Sequence, residues 1–312
     1  MNWFSQILEN WISFPYLEEY LTPVVHPWWL LKLLVLLYSP LICVLLFFWV
    51  FSFLLHIYKM MNNQQESDVN KIWEKPRKFI AQVYDIFGKI WYDYEVIGME
   101  HLPKGPGVII YYHAVISIDY SLLVAKLFKE TQRRCLSVID RAFCRVPGWK
   151  TYFDVLGLKD FSKAESVEIL KKGHLLGISP GGGREANFSK DYNIMWGNRT
   201  GFARIALEAK VPIIPIFTQN SCETYRSIGN TRLTRWIYEK TRLLHLPVYG
   251  GFPVKLRTYI GEPIPYDPNI TAAELAEKTK TAIENLRDKY QKRPGSILRA
   301  LSERFDKHYK AN

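Results

Sequence analysis

A chain of 312 residues, with 48% hydrophobic and 15% aromatic side chains, has ample material for a core, which excludes wholesale disorder. Its formal net charge of +11 favours anionic partners such as phosphates, nucleotides or acidic lipid headgroups. Nucleic acid is excluded as the favoured partner, because zinc-ligand spacing, an RNA-binding aromatic motif and a basic heptad are all missing. The four scattered cysteines suggest no disulfide framework.

The first predicted element is a membrane anchor over residues 27–59, which follows an N-terminal segment over residues 1–26. Residues 33–57 form a run of 25 without a single Asp, Glu, Lys or Arg. A helix of that length reaches about 37 Å and can cross a hydrocarbon core of about 30 Å. Pro40 leaves two geometries open, because it either kinks a single transmembrane helix or breaks it into a re-entrant hairpin.

The charges that flank the anchor predict its orientation. Acidic residues precede it, whereas basic residues follow it at Lys59, Lys71, Lys75, Arg77 and Lys78. The positive-inside rule then predicts that residues 60–312 face the cytosol. Residues 60–94 are predicted to hold a polar linker and an amphipathic helix, which lies on the membrane surface or on the folded domain.

Residues 95–312 alternate strand and helix patterns. Strands are predicted at 108–113, 135–139, 175–179, 211–217 and 254–260, and helices at 121–129, 162–173, 202–209 and 271–290. Such alternation is typical of an α/β fold, in which a layered mixed sheet is flanked by helices. Ligands in such folds bind at the strand ends, where His113, Asp140 and Gly181 all fall.

His113 and Asp119 are the candidate catalytic residues. The run 108–113 reads as a buried strand that ends on His113, and Asp119 lies in the loop that follows. An imidazole titrates near neutral pH, and a carboxylate can fix its tautomer and raise its basicity. The alternative is an ordinary loop histidine with satisfied hydrogen bonds.

A glycine-rich segment follows the strand at 175–179. Three consecutive glycines bring the backbone close to a ligand, and Arg184 adds a guanidinium that suits phosphate or carboxylate. The alternative is a flexible turn with a surface arginine. A serine-hydrolase elbow is disfavoured, because Pro180 follows Ser179 and has no N–H for an oxyanion hole.

Four segments in this order resemble the motifs of the glycerolipid acyltransferases: His113…Asp119, Ile139–Arg141, Ser179–Ala186 and Val211–Ile216. The third segment, with Trp196–Phe202 after it, resembles the diacylglycerol and phytyl-ester acyltransferase branch more than the lysophosphatidate branch. One departure stands out, since five residues separate His113 from Asp119 where the family has four.

The resemblance implies an acyltransferase domain over residues 95–312, with a glycerolipid acyltransferase-like fold. It implies that His113 is the general base and that Asp119 orients it. The implied substrate-binding residues are Arg141, Pro180, Gly181, Gly182, Gly183, Arg184 and Glu185. No metal and no cofactor are expected, because acyl-CoA serves as co-substrate.

The implied activity is transfer of a fatty acyl group from acyl-CoA, or another lipid acyl donor, to a glycerolipid hydroxyl. Diacylglycerol is the favoured acceptor and triacylglycerol the product, at the endoplasmic reticulum membrane with the domain in the cytosol. The expected partners are therefore acyl-CoA, the glycerolipid acceptor and the bilayer, while the oligomeric state stays open. Two alternatives remain, a lysophospholipid acyltransferase and a catalytically weak lipid-binding scaffold.

Overall fold

The computed structural model of the chain describes residues 27–62, 72–144, 146–227, 231–241 and 248–306. The N-terminal segment 1–26 and most of the linker after the anchor lie outside these residues. Helices and strands are numbered below in chain order within the described ranges.

Helix α1, Pro27–Met61, is the candidate membrane anchor. It runs without interruption through Pro40, so the chain does not reverse there as a re-entrant hairpin would. Its stretch Leu31–Met61 is long and apolar enough to cross a membrane by length and composition. Most of this stretch has no acidic or basic side chain, so its insertion into the hydrocarbon core costs little free energy.

Helix α2, Glu74–Tyr92, is the amphipathic helix that was predicted after the linker. One face is buried against the rest of the chain through Ile80, Tyr84 and Tyr92. Phe79 and Ile90 remain exposed on the helix. Helix α2 therefore packs on the folded domain with one face and exposes apolar side chains on another. The two predicted positions, on the domain and on the membrane surface, do not exclude each other.

A seven-stranded mixed sheet forms the centre of the domain. Its strands are β1 Glu95–Ile97, β2 Gly107–Tyr111, β3 Cys135–Val138, β4 Leu158–Lys159, β5 Leu175–Ile178, β6 Ile213–Gln219 and β9 Arg257–Ile260. They lie in the order β1-β9-β6-β2-β5-β3-β4. Strand β2 is central and pairs in parallel with β5 and β6, whereas β9 runs antiparallel to β6. The predicted α/β fold with a mixed sheet is confirmed.

Helices cover this sheet. They are α3 Ile118–Thr131, α4 Arg141–Cys144, α5 Lys150–Leu156, α6 Lys163–Lys171, α7 Gly182–Phe188, α8 Gly201–Ala209, α9 Ser221–Thr224, α11 Ala272–Tyr290 and α12 Ile297–Ser302. Capping boxes begin α6 at Ser162 and α11 at Thr271, as their sequences predict. Strand β2 is buried along its whole length, which is why it reads as a continuous apolar run.

A second, two-stranded sheet was not predicted. It consists of β7 Tyr225–Ser227 and β8 Val248–Gly250, and helix α10, Arg232–Thr241, lies between them in the chain. Gly251 follows β8 with a φ of +88°, and a Cβ atom added there would collide with Pro40 of α1. The small sheet therefore packs directly against the candidate membrane helix.

The sequence allows two interpretations of the aromatic residues between the motifs Ile139–Arg141 and Ser179–Ala186: they line an acyl channel, or they belong to the core. The structure supports core for Trp149, Tyr152 and Phe153, which are buried. Phe48 of α1 packs against all three, with ring centroids 5.2 Å from Trp149 and Tyr152. These contacts join the anchor to the domain.

Candidate active site

His113 lies two residues beyond the end of β2, at the carboxyl end of the central strand. Its Nδ1 is 2.7 Å from the carbonyl oxygen of Ala114 and 3.1 Å from the Ser117 hydroxyl. A carbonyl oxygen can only accept, so this contact assigns the proton to Nδ1 and leaves the lone pair on Nε2. Nε2 is therefore the nitrogen that can accept a proton from a substrate.

The environment of His113 favours the neutral ring. Burial lowers the pKa of the imidazole below 6.5, and the nearby charge of Asp140 opposes that shift only in part. A neutral imidazole near pH 7 is the form that a general base requires.

Asp119 lies in the first turn of α3 and is buried. Its carboxyl accepts hydrogen bonds from the Thr218 hydroxyl and from backbone N–H groups of its own turn, and its Oδ1 has no partner. The partners of the His113 ring are Ala114 and Ser117 instead, so the structure does not bring the expected acid onto the imidazole. The extra loop residue explains this, because one position rotates a helical side chain by about 100°.

Asp119 yields a prediction on stability. Burial raises the pKa of its carboxyl from 3.8 to about 6, so the folded chain disfavours the ionised form. Stability is then lost as pH rises from 3.8 to about 6, and the loss stays complete above that range. We expect Asp119→Asn to remove this loss and raise the free energy of unfolding by up to about 3 kcal/mol at pH 8.

Thermal unfolding of the detergent-solubilised chain at pH 8 and at pH 4 measures the effect. The gain from Asp119→Asn should shrink at the lower pH, where the wild-type carboxyl is protonated. Asp306→Asn, at an exposed position, is the matched control and should show no gain at either pH. An Asp119→Asn variant that is less stable at pH 8 than at pH 4, relative to wild type, would contradict the argument.

Glu185 connects the glycine-rich segment to His113. This fully buried carboxyl accepts the backbone N–H of His113 at 2.9 Å through Oε2 and that of Met195 at 2.9 Å through Oε1. Burial raises its pKa to about 7. The sequence suggested a substrate-binding residue, whereas these contacts give Glu185 a positioning role for the strand end that carries His113.

The glycine-rich segment is a helix start rather than an open loop. Gly182 and Gly183 belong to the first turn of α7, and Gly182 has a φ of +51°, a conformation that favours glycine. The Arg199 guanidinium donates to the carbonyls of Pro180 at 2.7 Å and Gly181 at 2.9 Å, which fixes the turn. Arg199 was not among the predicted site residues, because only tertiary contact identifies it.

Arg141 and Arg184, the two arginines predicted to bind substrate, are exposed. Arg141 forms an ion pair with Asp160 at 2.9 Å, and 71% of the arginine side chain is exposed. An exposed ion pair of this kind contributes only about 0–1 kcal/mol to the free energy of unfolding. A phosphate can therefore replace Asp160 as the partner of Arg141 with little loss of stability. Both side chains therefore remain available to an anionic ligand.

A cavity of about 430 Å³ lies between α1 and the domain. Its volume falls within the range of about 300–1,000 Å³ that is common for ligand pockets. The lining is mostly apolar and includes Pro40, Val44 and Phe47 of α1, Phe87 and Trp91 of α2, and Ile118 of α3. Ile118 is the first residue of α3 and directly follows the loop that begins at His113, so the cavity extends to the end of that loop.

The sequence of the chain is similar to those of known acyltransferases and their relatives. Residues 93–219 match the family model described as Acyltransferase. A mouse protein, "DGAT1/2-independent enzyme synthesizing storage lipids", is 48% identical over 98% of this chain and 93% of its own length. Proteins of the same description from human and chicken are 49% and 44% identical, over 96% and 99% of this chain and 93% and 94% of their own lengths. The chain therefore belongs to the glycerolipid acyltransferase superfamily.

A solved structure shares the fold at low sequence identity. The 1-acyl-sn-glycerophosphate acyltransferase PlsC from Thermotoga maritima is 16% identical, with a TM-score of 0.50 over 78% of this chain and 96% of PlsC. This likeness confirms the predicted mixed α/β architecture, and the relatives of higher identity confirm the predicted family. In function, the chain is an acyltransferase.

Proposed function

We propose that this protein transfers a fatty acyl group from acyl-CoA to the hydroxyl of diacylglycerol and so makes triacylglycerol. The observation that carries the proposal is the apolar cavity, which has α1 on one side and reaches Ile118, next to the His113 loop. A site with this position suits two substrates that both carry lipid tails. The relatives' description as enzymes that synthesize storage lipids supports the same product class.

In the proposed reaction, Nε2 of neutral His113 takes the proton of the acceptor hydroxyl as that oxygen attacks the thioester carbonyl. The new C–O bond forms, the C–S bond breaks, and the proton passes from the imidazolium to the leaving thiolate. Backbone N–H groups near Gly182 and Gly183 stabilise the oxyanion. Because a thioester is already activated, the reaction needs no acyl-enzyme intermediate and no cofactor.

The cavity makes a prediction about chain length. Val44 lines it, so Val44→Trp should fill much of the space and shift the preferred acyl donor toward shorter chains. Val50 is exposed on the same helix, and Val50→Trp is the matched control with an unchanged preference. Initial rates with a series of saturated acyl-CoAs measure the shift, and identical chain-length profiles for both variants would refute this use of the cavity.

A product assay tests the proposed function itself. The purified full chain in detergent micelles is given acyl-CoA and, in parallel, diacylglycerol or lysophosphatidate as acceptor. Triacylglycerol as the main product supports the proposal. The exposed Arg141 and Arg184 favour a lysophospholipid acyltransferase as the second candidate, and faster use of lysophosphatidate would select it. Substrate binding without any product would identify a scaffold.

We infer that the enzyme lies in the endoplasmic reticulum membrane with its domain in the cytosol. The basic residues that follow α1 support this orientation. The exposed Phe79 and Ile90 of α2 support contact of the domain with the membrane surface. Protease digestion of sealed microsomes should remove the domain without detergent, and protection of the domain would reverse the orientation.

A further inference from the structure

Helix α10, which lies between β7 and β8, has no role in the site described above. Its inner face packs on α7 through Tyr238, whose ring centroid is 5.3 Å from that of Phe188. The Arg235 guanidinium lies over the same Phe188 ring, at 5.3 Å from its centroid. These contacts fix which face of α10 points inward.

The outer face of α10 is apolar and exposed. Leu233 is 65% exposed and Trp236 is 58% exposed, and Ile237 and Lys240 continue the same face at helical spacing. Large apolar side chains at this level of exposure are unfavourable in water and mark a contact surface. Arg232 and Lys240 are also exposed, and together with Arg235 they outnumber the single acid of the helix, Glu239.

The two strands on either side of α10, β7 and β8, lie next to the candidate membrane helix α1. Gly251, directly after β8, packs against Pro40 of α1. Tyr225, at the start of β7, lines the same cavity as Pro40. Helix α10 therefore lies, along the chain, between two strands of the small sheet that contacts α1.

We propose that α10 docks on the surface of the bilayer that holds α1, with Leu233 and Trp236 inserted between anionic headgroups. Trp and Leu beside basic residues are the composition of helices that lie in the membrane interface. Arg232 and Lys240 pair with the negative headgroups. A second copy of this chain is disfavoured as the occupant, because two copies of one basic face repel each other.

The contact with Phe188 connects α10 to a helix of the candidate active site. Phe188 is the last residue of α7, the helix that also carries Glu185. Glu185 in turn accepts the backbone N–H of His113. Tyr238 of α10 therefore contacts the same short helix that carries Glu185, although the docking itself does not depend on the proposed reaction.

Lipid photolabelling of the full chain in nanodiscs tests the proposal without an activity assay. The discs contain phosphatidylcholine with a diazirine in its acyl chain, either alone or mixed with phosphatidylserine, and mass spectrometry locates the adducts. We expect adducts within residues 231–241, with a higher yield in discs that contain phosphatidylserine. The double variant Leu233→Glu with Trp236→Glu should lower that yield at least about tenfold.

Leu298→Glu is the matched control, because it changes a leucine of α12 that is even more exposed than Leu233 and should leave the α10 adducts unchanged. Arg232→Glu with Lys240→Glu should abolish the effect of phosphatidylserine while adducts persist. Adducts on α1 and α2 without any in 231–241 would overturn the proposal. Protein cross-links that join two 231–241 peptides would assign the surface to a second copy instead.

Discussion

Replacing His113 by alanine should lower turnover by about a hundred- to ten-thousand-fold, the usual contribution of a general base. The variant loses Nε2 of the imidazole, which is the ring nitrogen that can accept a proton, because Nδ1 donates a hydrogen bond to the carbonyl oxygen of Ala114. Substrate binding should change little, because the cavity lining does not include His113. The measurement is kcat and KM for acyl transfer with the full chain in micelles.

His174→Ala provides the control, as this partly buried histidine lies outside the site between α6 and β5. It should retain wild-type turnover. The wild-type pH profile provides a second check: activity is lost as pH falls and His113 becomes protonated. Because burial lowers the pKa of His113, its protonation should contribute an acid limb with a midpoint below 6.5, separate from the partial loss of kcat that protonation of Glu185 causes near pH 7.

Wild-type turnover in the His113→Ala variant would remove the base from the mechanism. A variant with unchanged kcat but much higher KM would make His113 a binding residue. Either result leaves the family membership intact, because that rests on sequence identity along the whole chain.

The features that the sequence predicts well are those with local causes. The buried run before His113 and the capping boxes at Ser162 and Thr271 depend on neighbouring residues, and each forms where the pattern places it. Strand β2 nevertheless ends at Tyr111 rather than at His113, since its pairing with β5 stops at Ile110 and its pairing with β6 stops at Tyr111. Element ends depend on partner strands that lie far away in the chain.

The features that the sequence does not predict depend on distant contacts. Glu185 meets the amide of His113 across 72 residues, and no local pattern separates a positioning carboxylate from a ligand-binding one. The relation of Asp119 to His113 changes with a single residue of loop length, because a helix turns about 100° per residue. The sheet of β7 and β8 escapes prediction, as its strands of three residues are too short for periodicity to show.

Asp119 illustrates how these distant contacts alter the mechanism. A carboxylate that does not touch the imidazole can contribute only through its field and through its hold on the first turn of α3. We therefore expect Asp119 substitution to affect turnover less than His113 substitution. Ser117, which contacts Nδ1 directly, takes the place next to the ring that the acid was expected to fill.

Glu185→Ala should be the most destabilising single change at the site. It deletes the acceptor of two backbone N–H groups, those of the part-buried residues His113 and Met195. An unsatisfied buried donor costs about 1–3 kcal/mol and a part-buried donor costs less, so the expected loss of unfolding free energy lies toward the lower end of about 2–6 kcal/mol. The strand end also loses its tether, so kcat of the protein that still folds should fall with it.

Glu185→Gln separates positioning from stability alone. Its amide oxygen can accept one of the two N–H groups, whereas its amide nitrogen faces the other, so His113 is held only in part. Above pH 7 the wild-type carboxyl is ionised and both oxygens accept, and below pH 7 it carries a proton as its raised pKa requires. The kcat of the variant should therefore differ most from wild type above pH 7 and approach it below.

Glu208→Gln, at an exposed ion pair with Lys163, should leave kcat unchanged at every pH. If Glu185 only stabilised the fold, Glu185→Gln would lower the melting temperature while kcat per folded molecule stayed at the wild-type value, and the hydrogen bond to His113 would then have no catalytic consequence.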